Sequence, residues 1–260
     1  MKMQSDHPLA LAVVAAIRAG DLQALKRLLD ENTGLAKARI VDETCITTNT
    51  SRTLLHIATD WPGHFPNGAA TIAALIAAGA EINAPFTGRH AETALHWAAS
   101  SDNVMVLDAL LDAGADIEAP GAVIGGGTPL ADAAAFGQWQ AARRLVERGA
   151  RTTLWQAAAL GMLERVEEYF AGDASRALPR WWPRPATPDT VPPDEVTHAF
   201  WCACHGRQRR TAEYLLGRNA DRNWIGYDGL TPLEAARRSG ADELAEWLRG
   251  QGAKTADALR

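Results

Sequence analysis

Three stretches of this chain keep one fixed distance between a threonine and a glycine. Thr93 and Gly114, Thr128 and Gly149, and Thr231 and Gly252 are each 21 positions apart. Between them the apolar residues come in two helical bursts. In residues 92–119 they fall at Leu95, Ala98 and Ala99, then at Val104, Val106, Leu107, Leu110 and Leu111, with Ser100 to Asn103 between. The spacing predicts a helix, a turn and a second helix. Thr93 is placed to cap the first helix, Asp102 or Asn103 the second, and Gly114 to end it in the left-handed conformation. A pair this short cannot bury its apolar face alone, so copies of it must stack.

The copies open on Thr53-Leu54-Leu55-His56-Ile57-Ala58, Thr93-Ala94-Leu95-His96-Trp97-Ala98, Thr128-Pro129-Leu130 and Thr231-Pro232-Leu233. They closely resemble the ankyrin repeat, with its signature T-P-L-H-x-A and its period of about 33 residues. The resemblance implies an all-α ankyrin-repeat solenoid of about seven helix-turn-helix units with hairpin fingers and atypical terminal caps. Units are expected at about 8–32, 53–84, 93–119, 128–150, 152–173, 198–223 and 231–253, in a single domain over 8–253. A Pro/Trp-rich insertion, 174–197, contains Trp181 and Trp182, and its prolines exclude helix. The tail, 254–260, is expected to fray.

The net charge of -5 gives no broad electrostatic footprint for nucleic acid or an anionic membrane. The LALAVVAAI stretch near the N-terminus looks like a signal-peptide core. It continues into RAGDLQALKRLLDEN, with Gly20 and Leu28-Leu29 at repeat positions, and is read as a capping repeat. Elsewhere no run approaches the length of a membrane span. Cys45, Cys202 and Cys204 have no zinc spacing and form no disulfide framework, which favours a reducing cytoplasm.

Alignment of the units stacks equivalent residues in columns. The histidine column reads Val14, His56, His96, Ala131, Trp155, Trp201, Glu234, and the next reads Ala15, Ile57, Trp97, Asp132, Gln156, Cys202, Ala235. In the family the histidine serves structure, bonding backbone between repeats. Asp132 is a carboxylate in an apolar column, so it must be paired or protonated, and Gln156 is the obvious donor.

The resemblance places partner binding on the concave side, formed by the fingers and the ends of the first helices. Trp61, Phe86, Arg89, His90, Phe136, Trp224 and Tyr227 are the candidate contacts there, since aromatic and Arg side chains anchor interfaces. They can equally pack on their own loops. The main reading is a non-catalytic scaffold for an unidentified protein partner, with no cofactor or metal, no nucleic acid and no membrane. The alternative is a small-molecule site or enzyme using His64, His90, His96, Asp60 and Asp132, with Glu92 nearby, closed by the 174–197 insertion. A third possibility makes Trp181-Trp182 a self-association patch.

Overall fold

The computed structural model of the protein describes residues 1–42, 50–171 and 194–260. The readings that concern Cys45 and the Trp181-Trp182 pair lie outside the described residues. The chain divides into two compact bodies, Met1–Ala150 and Arg151–Arg260.

The N-terminal body is built of helix pairs: α1 (Pro8–Ala19) and α2 (Leu22–Glu31), α3 (Leu54–Thr59) and α4 (Gly68–Ala77), α5 (Ala94–Ser100) and α6 (Val104–Asp112), α7 (Pro129–Ala135) and α8 (Trp139–Glu147). First helices pack on first helices, α1 on α3, α3 on α5 and α5 on α7, and second helices follow suit. The core runs along the seam, through Val13, Ile17, Leu25, Leu55, Ile72, Leu95, Leu107, Leu130 and Leu145. The LALAVVAAI stretch is therefore an ordinary amphipathic helix. His7 caps it, Gly20 ends it in the left-handed conformation, and it buries Ala10, Val13, Ala16 and Ile17. Among the described residues no helix is long and apolar enough to cross a membrane.

The connection after the first pair is not featureless. It carries two strands of a small sheet, in which β1 (Lys2–Gln4) pairs parallel with β2 (Arg39–Asp42), and β2 antiparallel with β3 (Thr50–Thr53). Met3 and Ile40 face each other in register and are buried. This sheet is an addition to an otherwise helical fold.

The C-terminal body contains α9 (Leu154–Leu160), α10 (Leu163–Phe170), α11 (Glu195–His205), α12 (Arg209–Leu216), α13 (Pro232–Arg238) and α14 (Asp242–Gly250). Phe200, Ala203, Leu215, Leu233 and Leu248 form its core. Residues 194–197, expected with the insertion, are instead the cap and first turn of α11: the Asp194 carboxylate accepts the Thr197 N–H at 2.7 Å. The tail is also tied down rather than frayed. Ala256 is buried, its N–H donates to Glu234, and the Lys254 N–H donates to Asn223.

One device recurs at the start of the first helices. In α3, α5, α9 and α13 the threonine cap and the third helical residue bond reciprocally, as a capping box. The third residue is His56, His96, Gln156 and Glu234 in turn. Gln156 thus occupies the histidine role in α9, and the cap is Thr153, not Thr152. The sequence columns placed Trp155 there because α9 is one residue shorter from cap to turn, Thr153 to Gly161 against Thr93 to Asp102.

Candidate functional site

The ends of the first helices and the fingers of the N-terminal body hold most of the candidate contacts. Helix α3 stops at Thr59, whose hydroxyl bonds back to the Leu55 and His56 carbonyls. Asp60 follows. Its half-buried carboxylate takes Arg52 at 2.7 Å and Arg18 at 3.5 Å. The DWPGHFPNG turn then reaches both neighbouring helix pairs: Asn67 donates to the Gly20 carbonyl at 2.9 Å, and the His64 ring meets the Ser101 carbonyl at 2.9 Å. Gly63, His64 and Asn67 all have positive φ, the conformation that lets so short a segment fold back twice. On this pinned turn Trp61 is 82% exposed.

Phe136, the residue after α7, is 46% exposed. Phe86 is half-buried, with its ring 5.5 Å from Trp97 and 6.3 Å from His56. Arg89 is exposed and His90 half-buried on the same finger.

The histidines of the capping boxes have fixed roles. In His56 and His96, Nδ1 accepts the N–H of Thr53 and Thr93, so Nε2 carries the proton and donates forward. His56 donates to the Glu92 carbonyl at 3.0 Å, and His96 to the Gly127 carbonyl at 3.3 Å. Burial lowers each from 6.5 to about 4, so both are neutral hydrogen-bonding struts.

The fourth pair lacks this strut, since Ala131 stands in the histidine place. Asp132, fully buried, is the next residue, and its two oxygens accept the N–H groups of Val123 at 3.3 Å and Ile124 at 3.0 Å. Its partners therefore come from its own finger. Gln156, the donor expected from the sequence, uses its side-chain oxygen for Thr153. Burial first, and then the charge of Glu92, push Asp132 up to about 7 against the pull of the two N–H groups. Glu92 is also raised by burial, with the Trp97 side chain as its hydrogen-bonding partner.

His64, His90, His96, Asp60 and Asp132 do not form one cluster of ligands. Among the described residues no group of three or more His, Cys, Asp or Glu is gathered to hold a metal ion. His64, His96, Asp60 and Asp132 are each committed to a structural partner named above.

In the C-terminal body Trp224 and Tyr227 pack inward. Trp224 is buried, and Tyr227 stacks edge-on against Trp201, Trp224 and His198, with ring centroids 5.3, 5.8 and 5.6 Å away. His198 is the hub, with its Nε2 3.2 Å from the Tyr227 hydroxyl and 3.4 Å from the Cys202 sulfur. Burial lowers it to about 3, and burial raises both the Cys202 and Cys204 thiols, so this is a neutral, packed cluster. Sequence reasoning gave His198 no role. Its signal is the placement of Trp201 and Cys202 three and four residues on, one face of a helix.

A family model of ankyrin repeats, in three copies, matches residues 66–154. The chain contains ankyrin repeats. No curated protein matches it. Among solved structures, the human ASB11 ankyrin repeat domain is similar at 23% identity, over 79% of this chain and 90% of that one, with a TM-score of 0.43. Proteins of the ankyrin repeat family generally mediate protein–protein interaction and are generally non-catalytic.

Proposed function

We propose that this ankyrin repeat protein is a non-catalytic scaffold that holds a segment of a protein partner against the first-helix ends and fingers of its N-terminal body. The observation that carries this reading is Trp61, a large indole left 82% exposed on a turn bonded to the pairs before and after it. An exposed aromatic on a rigid support is the usual form of an interface anchor, because little entropy is lost when it is covered. Phe136 adds a second exposed ring, and Phe86, Arg89 and His90 supply a finger with apolar and cationic groups. Trp224 and Tyr227 contribute by shaping the C-terminal body, since their rings are committed to its interior. The buried free thiols Cys202 and Cys204 support a reducing compartment such as the cytoplasm.

The test is capture by the full chain, with bound proteins cross-linked and the cross-linked residues mapped. Trp61→Ala and Phe136→Ala should each leave the thermal transition unchanged and lose the cross-linked partner. If both variants retain it, or if the cross-links map elsewhere, this face is not the binding surface.

A further inference from the structure

The finger between α6 and α7 is held by a buried carboxylate in addition to the imidazole that each of these two fingers receives from the pair before it. The His56 strut ends on the Glu92 carbonyl and the His96 strut on the Gly127 carbonyl, both neutral. The tip of the second finger, residues 122–127, takes a further grip from inside its own pair. There the Asp132 oxygens accept one N–H each, from Val123 and Ile124. Val123, directly above that grip, is 39% exposed.

A carboxylate accepts two N–H groups equally well only when ionised. Protonation turns one oxygen into a hydroxyl, a poorer acceptor with a proton directed at the finger. We propose that ionisation of Asp132 sets the order of the 122–127 finger tip, so that the Val123 surface offered to a partner is firm when Asp132 is charged and loosened when it is neutral. This rests on the reading of the fingers as a partner-binding surface.

The surroundings leave Asp132 free to act as the switch. The finger carries Asp116 and Glu118 ahead of its tip, the former acting on His96, and no titratable side chain from Ala119 to Thr128. Helix α5, packed against α7, brings only His96, whose proton is already committed to Gly127. Ahead of α5, Glu92 places a negative charge that opposes ionisation. On the other side α8 carries exposed Arg143, and its Arg144 and Glu147 pair with each other, Arg144 also reaching Asp108 of α6.

The experiment follows the Val123 and Ile124 amide resonances of the full-length 15N-labelled protein from pH 5.5 to 8.5, with no partner present. Both amides should move together with one midpoint near 7. Their protection against hydrogen exchange, corrected for intrinsic rate, should rise about tenfold across that range, the worth of one charge-assisted hydrogen bond. Asp132→Asn should abolish the midpoint, and Glu92→Gln should move it to lower pH. Resonances that stay flat in the native protein, or that titrate unchanged in Asp132→Asn, overturn the proposal. Should Asp132→Asn fail to fold, an unmoved midpoint in Glu92→Gln overturns it by itself. The partner-free readout separates this from the capture test on Trp61 and Phe136, so either can fail alone.

Discussion

His56 spans two repeats with one ring: its Nδ1 accepts the Thr53 N–H at 3.4 Å while its Nε2 donates to the Glu92 carbonyl at 3.0 Å, 36 residues further on. His96 repeats the arrangement between Thr93 and Gly127. The local cap and the contact between repeats are therefore a single interaction.

Replacing His96 with alanine removes both bonds and leaves the Thr93 N–H and the Gly127 carbonyl to find water. The expected cost is about 2–4 kcal/mol, read from the urea midpoint. His96→Gln should cost roughly half as much, because Gln156 closes the same box in α9 with its amide oxygen. Equal losses for the two variants would show that the forward bond to Gly127 carries the whole effect.

Acid should weaken the fold in a definite window. His56 and His96, lowered to about 4, and His198, lowered to about 3, are neutral when folded and take protons on unfolding. Their contribution is complete above the unfolded value of about 6.5 and is lost as pH falls towards 4, up to about 3 kcal/mol each. Asp132 runs the other way. Its raised value makes it cost stability as pH climbs from the usual carboxylate range to about 7. Melting curves for the native chain and Asp132→Asn should therefore diverge on the neutral side, with the variant gaining more stability between pH 5 and 7.

Two glycines with positive φ should respond differently to alanine. At Gly121, φ is +127°, and a Cβ would sit 2.2 Å from the Ala91 carbonyl oxygen, where the two fingers meet. Gly114, with φ of +91°, has nothing within 4 Å of the added atom. Gly121→Ala should cost about 3 kcal/mol or more and Gly114→Ala about 1, by calorimetry. Similar melting temperatures for the two would mean that the fingers part easily.

Cys202 and Cys204 should resist alkylation in the native state. Both thiols are buried and their ionisation is suppressed, so labelling needs opening of the C-terminal body. Peptide mapping after iodoacetamide should find them unmodified until denaturant approaches the unfolding midpoint. Labelling of both in native buffer would reveal a body that opens readily.

The Thr-to-Gly distances made the helix pairs legible, because capping and the left-handed stop are local chemistry carried by single residues. The histidine struts were legible only through the resemblance, which assigns that position to bonding backbone between repeats. The α9 register was not, since one residue lost between Thr153 and Gly161 changes no pattern of apolar residues. Strand β1 was hidden because three residues show no periodicity, and its partner β2 lies beyond two helices. Asp132 stood out as a buried carboxylate, yet its partners came from a turn whose backbone direction no side chain announces. Trp224 and Tyr227 read as surface aromatics until His198 gave them an interior to pack on.

The struts of His56 and His96 both point forward, from a helix start to a carbonyl of the following finger. That gives the row a polarity. Trimming repeats from the N-terminal side strips donors and exposes only carbonyl oxygens, which water satisfies at little cost. Trimming from the C-terminal side takes the acceptor away and leaves a buried imidazole N–H with nothing to receive it. A truncation series should be tolerated from one direction and resisted from the other, and a graft of extra repeats should take most readily where Ala131 has already ended the line of donors.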